Sequence, residues 1–105
     1  MQRGKVVSFE GDIKKLEKIM EIKVKKAGEA EIAEMKSMPT WGCGVSEFNW
    51  HYDCEECALI IDGEVTVTYN SGSVSFGAGD YVVFPAGLYC VWKVEKAVRK
   101  HYLFN

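Results

Sequence analysis

Residues 49–57, NWHYDCEEC, bring one histidine, three acidic side chains and a Cys-x-x-Cys pair together in a short stretch. Imidazole, thiolate and carboxylate groups are common protein ligands of metals, so the composition favours a metal site. Such a site forms only if these side chains point the same way. Alternation along a strand puts Trp50 and Tyr52 on one face and His51 on the other, so we expect His51 to point away from the interior.

The two cysteines of this stretch do not complete a zinc site either. Cys54 lies in a predicted turn and Cys57 begins an apolar strand, while the sequence has no second Cys-x-x-Cys pair to complete four ligands. A thioredoxin-like role would need a helix N-terminus beside the thiols, where this pattern predicts a β-turn. We therefore expect free thiols, with Cys57 packed inside and Cys54 at the surface.

Length and composition indicate one globular domain. The chain has 105 residues, 48% of them hydrophobic and 12% aromatic, which is enough to fill a single core. The longest apolar stretch, residues 81–92, is interrupted by Pro85 and Gly87, so no membrane-spanning helix is predicted. The beginning, MQRGKVVSFEGD, lacks the features of a secretory signal, and we expect a cytoplasmic protein with reduced cysteines.

Charged residues are distributed unevenly along the chain. Residues 37–92 contain seven acidic and no basic side chains, whereas basic residues are concentrated in 1–36 and 93–105. A nucleic-acid-binding protein would carry a basic stripe on its main surface, so we expect no nucleic-acid partner. The basic ends could instead meet an acidic neighbouring subunit, which favours a homodimer. Few side-chain amides beside abundant lysine and glutamate favour a thermophilic source.

The hydrophobic period divides the chain at Pro39. Before it, the pattern predicts a short helix capped by Asp12 in an N-terminal extension, residues 1–20. It then predicts a strand at residues 21–25 and a helix of one to three turns within residues 28–38, ended by Pro39.

After Pro39 the period changes to two. Apolar and polar side chains alternate in residues 48–52, 64–69 and 98–104. Turn compositions separate the apolar segments at residues 62–63, 70–72, 77–80 and 85–87. Residues 21–105 are therefore predicted to form one antiparallel all-β domain of about eight short strands, a sandwich or a barrel.

Two sets of spacings resemble the two motifs of the cupin family. The first consists of Gly44, Trp50, Tyr52, Glu56 and Gly63. The second consists of Gly79, Pro85, Gly87 and Cys90. The sequence from Asp62 onward, DGEVTVTYNSGSVSFGAGDYVVFPAG, is also similar to small single-domain cupins grouped with the cupin domain of ureidoglycine aminohydrolase. This resemblance implies a cupin jelly-roll β-barrel with one or two short N-terminal helices, and it implies little about activity because cupins include enzymes and binding modules.

The residues at the cupin ligand positions depart from the family pattern. Cupin motifs normally supply three histidines and one glutamate to a metal, but Trp50, Tyr52 and Cys90 stand at the histidine positions. Only Glu56 remains. The resemblance thus implies a degenerate metal site with Glu56 and Cys90 as its remaining candidate ligands, and we expect no metal and no cofactor.

The same motif positions imply what lines the barrel interior. On the last strand, the alternating set of Val98, Lys100 and Tyr102 is more apolar than the other set and is predicted to face inward. A carboxylate is rarely held inside a barrel without a partner, so Glu56 predicts a lysine such as Lys100, a ligand or an unusual metal beside it. The predicted ligand pocket consists of Trp50, Tyr52, Glu56, Cys90, Trp92, Lys100 and Tyr102.

Three functions are compatible with this pocket. The first, which we prefer, is binding of a small organic molecule by ring stacking, with Glu56 and Tyr102 fixing its polar groups. The second is an enzyme that uses Glu56 as base or ligand and Cys90 as thiolate, acting on a nitrogen-rich metabolite as the resemblance to the aminohydrolase domain implies. Neither group has a histidine nearby to activate it. The third is a dimeric interaction module whose pocket has no ligand.

Overall fold

The computed structural model describes residues 20–105. Within them the chain forms seven strands and one helix. These are β1 (Lys23–Lys26), α1 (Glu29–Met35), β2 (Thr40–Cys43), β3 (Ser46–His51), β4 (Glu56–Tyr69), β5 (Gly72–Gly77), β6 (Asp80–Phe84) and β7 (Tyr89–Phe104). The helix predicted after Asp12 lies outside the described residues, as does nearly all of the predicted N-terminal extension.

All seven strands belong to one antiparallel sheet. Its main order is β1-β6-β4-β7-β2, while β3 pairs with β7 and β5 pairs with β4. The two long strands, β4 with 14 residues and β7 with 16, pair with each other along most of their length. Each long strand therefore carries two shorter partners in succession along one of its edges: β6 then β5 on β4, and β3 then β2 on β7.

The turn predicted at residues 62–63 is wrong. Strand β4 passes straight through these residues, and its register against β7 shifts between Ile60 and Val65. Gly63 has a φ of 102°, and a Cβ placed there would lie 2.4 Å from the carbonyl oxygen of Ala97. This glycine allows a β-bulge with close backbone approach, so two predicted short strands are one long irregular strand.

The other predicted turns are confirmed. Residues 70–71 connect β4 to β5, residues 78–79 connect β5 to β6, and residues 85–88 connect β6 to β7. The predicted alternation also holds in β3 and β7, where it gives each strand one interior face. The described chain has seven strands rather than about eight short ones.

The helix predicted within residues 28–38 is confirmed as α1, which makes two turns and ends before Pro39. Its N-terminus is closed by Glu31, whose Oε1 accepts a hydrogen bond of 2.7 Å from the Gly28 N–H. Met35 is fully buried, and the helix contacts β4 and β7. Residues 56–60 of β4 are consequently buried on both faces of the strand.

The interior face of the sheet carries the main apolar core, which includes Ala58, Ile60, Val82, Phe84 and Trp92. Two charged side chains lie on this face, Glu56 and Lys100, and both are buried. No helix within residues 20–105 has the length and apolar composition needed to cross a membrane.

Candidate functional site

A pocket of about 250 Å³ opens on the interior face of β2, β3, β4 and β7. Ligand pockets usually measure about 300–1,000 Å³, so this volume lies just below the usual range. Most of its wall is aromatic, with two charged groups among the rings. The lining residues are Trp41, Phe48, Trp50, Tyr52, Glu56, Trp92, Lys100, Tyr102 and Phe104.

The two charged groups form a buried ion pair. Lys100 Nζ donates a hydrogen bond to Glu56 Oε2, and both side chains are almost completely buried. Strand pairing places Lys100 opposite Ile60, whereas Glu56 is the first residue of β4, so the pair joins two positions that are not directly opposite each other.

Aromatic rings surround the ammonium group of Lys100. Its Nζ lies 5.0 Å from the ring centroid of Trp92, 5.2 Å from Trp41 and 5.8 Å from Phe84. These are cation–π distances, and rings replace part of the water that an exposed ammonium would have. Burial lowers the pKa of Lys100, while the charge and hydrogen bond of Glu56 act in the opposite direction.

Hydrogen bonds and ring stacking hold Tyr52 and Trp92 in the wall of the pocket. Trp92 Nε1 donates a buried hydrogen bond of 3.1 Å to the Tyr52 hydroxyl, and the Tyr52 ring stacks on Phe84 at 4.7 Å. The Tyr52 N–H donates a hydrogen bond of 2.9 Å to the Leu88 carbonyl oxygen, and the Gly87 N–H donates one of 2.6 Å to the Tyr52 carbonyl oxygen. Burial, with a further effect of the nearby Glu56, raises the pKa of Tyr52, which therefore stays a neutral phenol.

The mouth of the pocket exposes large apolar side chains. Trp41, Trp50 and Phe104 are 38%, 50% and 52% exposed, although rings of this size are usually covered in a folded domain. Since all three belong to the pocket wall, a ligand seated there would remove part of their surface from water.

The structure brings six of the seven predicted pocket residues to this wall: Trp50, Tyr52, Glu56, Trp92, Lys100 and Tyr102. Cys90 does not line it. The Cys90 side chain is short and lies in the apolar core, so it does not reach the cavity. Burial raises the pKa of Cys90 to about 11, which keeps it a thiol at neutral pH and opposes the predicted roles as thiolate ligand or nucleophile.

Three lining residues were absent from the sequence prediction. Phe48 and Phe104 continue the alternating faces that contain Trp50 and Tyr102, so a longer extension of the same pattern would have included them. Trp41 gave no such signal. It lies in the four-residue strand β2, and its place opposite Lys100 depends on pairing with a distant part of the chain.

The potential metal ligands in residues 49–57 do not point to one place in the structure. His51 is exposed, stacks on Tyr89 with 4.0 Å between ring centroids, and places Nδ1 3.3 Å from Asp53 Oδ1. Cys57 is buried as predicted, whereas Cys54 is half-buried rather than fully at the surface. All four cysteines are free thiols.

We predict that Cys54 reacts with iodoacetamide faster than Cys57 and Cys90 in the native protein, because burial limits access to the latter two. A time course analysed by peptide mass spectrometry measures the three rates. Equal rates at all three thiols would show that the facing of these strands is misassigned.

Burial disfavours the Cys90 thiolate and raises the pKa of this thiol to about 11. Ionisation of Cys90 therefore does not affect the stability of the folded protein below the pKa of an unfolded thiol, and the folded protein loses stability as pH rises from that value to about 11.

Comparison with known proteins identifies the fold family. The sequence model of the EutQ-like cupin domain matches residues 30–102. The chain belongs to this cupin family. The cupin jelly roll expected from the motif spacing is thereby confirmed, and the pocket of this cupin lies within the matched region except for Phe104.

Solved structures agree with the family. A DUF861 family protein from Thermotoga maritima is similar to this cupin with a TM-score of 0.76 and 41% identity, over 81% of this chain and 100% of that chain. The EutQ protein of Clostridium difficile has a TM-score of 0.59 and 19% identity, over 79% of this chain and 66% of that chain. At that identity the second similarity shows the fold alone. This cupin has no significant match among curated proteins.

The residues of this cupin do not fit the metal that the motif positions imply. No group of three or more His, Cys, Asp or Glu side chains within residues 20–105 is arranged to hold a metal ion. The remaining motif ligand, Glu56, already accepts a hydrogen bond from Lys100, and indole and phenol occupy two of the other positions. Among the described residues, the positive charge beside Glu56 is the ammonium of Lys100.

Proposed function

We propose that this cupin binds a small planar organic molecule in the pocket, through the Lys100–Glu56 pair. The observation that supports this most strongly is a buried ion pair on the wall of an aromatic pocket with an exposed apolar mouth. Taking two charges out of water is costly and an apolar pair of similar size would often be as stable, so a buried ion pair on a cavity wall favours a role in contacting a ligand. Here the pair is placed where a ligand would meet it.

The ion pair offers a ligand both kinds of hydrogen-bonding group. An ammonium has three donors, and one of the Lys100 donors is used by Glu56 Oε2. A carboxylate accepts at two oxygens, so Glu56 retains capacity for a ligand N–H or O–H. A carbonyl or amide group on a small ring is complementary to this arrangement.

The rings at the mouth provide the apolar part of the binding energy. Trp41, Trp50 and Phe104 carry exposed aromatic surface, and each 100 Å² of apolar surface removed from water contributes roughly 2.5 kcal/mol. Pockets that combine many apolar contacts with a few polar groups are typical of small-molecule sites.

We predict that para-hydroxybenzamide binds the protein and that Trp50→Ala weakens this binding at least about tenfold, because it removes stacking surface from the pocket wall. Isothermal titration calorimetry measures both affinities. Tyr89→Ala is the matched control, since Tyr89 is 73% exposed and stacks on His51 outside the pocket. Equal losses in the two variants, or no binding by either the wild type or the variants, would contradict the proposal.

We also propose a homodimer, as the charge distribution suggests. Strand β1 pairs with β6 on one side, and no described strand pairs with its other side. A second subunit that covers this edge would satisfy backbone groups of β1 that no strand within residues 20–105 pairs with. Light scattering of the full chain at micromolar concentration is expected to give twice the monomer mass, and deletion of residues 1–20 is expected to weaken the dimer. A monomer unaffected by that deletion would refute the proposal.

A further inference from the structure

Lys100 differs from the other lysines of the described chain in its surroundings. Its side chain is buried and forms part of the pocket wall, and its Nζ forms an ion pair with Glu56. Three aromatic rings lie within 6 Å of it. Lys93, on the same strand, is exposed. A lysine desolvated in an apolar pocket is the usual setting of an amine that attacks carbonyl carbon.

We propose that Lys100 forms a reversible imine with a small aldehyde or ketone that enters the pocket. This inference rests on the proposed small-molecule function and specifies its ligand class. Planar carbonyl compounds fit the aromatic walls, and the carbonyl carbon of a seated ligand would meet Nζ on the pocket wall.

Glu56 is placed to move the protons that this reaction requires. It first accepts a proton from the Lys100 ammonium, which leaves a neutral amine and a carboxylic acid. The amine nitrogen then forms a bond to the carbonyl carbon, and proton transfer within the adduct gives a neutral carbinolamine. Glu56 returns its proton to the carbinolamine hydroxyl, the C–O bond breaks, and water leaves. The products are a protonated imine, one water molecule and the Glu56 carboxylate.

The buried charges are the same before and after this reaction. The ammonium is replaced by an iminium cation of equal charge, and between these two states Glu56 and the nitrogen are both neutral, so the Glu56 carboxylate is never left without a positive partner. The rings of Trp92 and Trp41, which lie close to the ammonium, remain beside a cation. The reaction therefore avoids the cost of leaving an unpaired charge in the interior.

Treatment of the full-length protein with para-hydroxybenzaldehyde and sodium cyanoborohydride tests the inference. The hydride reduces the iminium to a stable secondary amine, which peptide mass spectrometry locates. We expect one adduct on Lys100, formed at least about tenfold faster than on exposed Lys93 because binding in the pocket raises the local concentration of the aldehyde. Equal or faster labelling of Lys93 would overturn the inference.

Two variants and one unreactive compound complete the test. Lys100→Arg keeps the charge and has no amine that forms the imine, so its pocket adduct should be absent, whereas Lys93→Arg should leave the Lys100 adduct unchanged.

Excess para-hydroxybenzamide, which cannot form the imine, should slow labelling of Lys100. Binding of the amide without any Lys100 adduct would overturn the imine and leave the pocket function standing. Absence of both would overturn both proposals. The labelling rates of Lys100 and Lys93 in the wild-type protein test the imine even if Lys100→Arg does not fold.

Discussion

Replacement of Glu56 by leucine is expected to lower the free energy of unfolding by about 3–5 kcal/mol, because it leaves the ammonium of Lys100 buried without its carboxylate. The complementary variant, Lys100→Met, should cost a similar amount. The double variant should recover most of the loss, since two apolar side chains replace the pair and no charge remains unpaired. Denaturant unfolding of the wild type and the three variants provides this double-mutant cycle.

The exposed pair of Lys96 and Glu64 is the matched control. Its Nζ and Oε2 atoms lie 3.1 Å apart, but the two side chains are 70% and 56% exposed. Exposed pairs contribute about 0–1 kcal/mol, so Glu64→Leu should change stability little. If Glu56→Leu proved as mild as Glu64→Leu, the Lys100–Glu56 pair would not be the buried interaction that the pocket requires.

Substitution of Gly63 by alanine is expected to destabilise the protein by at least about 3 kcal/mol. The φ of 102° is strained for any residue with a Cβ, and that Cβ would lie 2.4 Å from Ala97 O and 2.6 Å from Val98 Cα. Backbone atoms of β7 would have to move, so the bulge that bends β4 would be disturbed. Thermal and denaturant unfolding measure the loss.

Gly79→Ala separates the backbone strain from the clash. Gly79 also has a positive φ, of 92°, but nothing lies within 4 Å of a Cβ placed there. Only the cost of the left-handed conformation applies, about 1–2 kcal/mol. Similar losses at Gly63 and Gly79 would mean that the close approach of β4 and β7 at the bulge is not a significant constraint.

The sequence predicted most of the fold because its signals are local. Alternation identified the interior faces of β3 and β7, and glycine-rich turns located the connections at residues 70–71 and 78–79. The error at Asp62-Gly63 has a physical cause. A glycine with positive φ serves equally in a turn and in a β-bulge, and only the pairing of β4 with distant β7 decides between them.

The candidate site was predicted in part for the same reason. Glu56 required a partner, and Lys100 on the inward face of the last strand supplies it. Trp41 and Cys90 show the limit of predicting the site from local sequence patterns. Trp41 reaches the pocket through strand pairing that no local pattern indicates, and the position of Cys90 within a motif did not show that its short side chain stops in the core.

A crystal structure of the full-length protein with para-hydroxybenzamide, measured with anomalous data for transition metals, tests the pocket most directly. The expected result is the amide seated among Trp41, Trp50 and Phe104, with its polar group in hydrogen-bond contact with the Lys100–Glu56 pair. No anomalous peak is expected at Glu56. A metal ion bound to Glu56 with Lys100 displaced, or a pocket without the amide at saturating concentration, would contradict a function based on this ion pair.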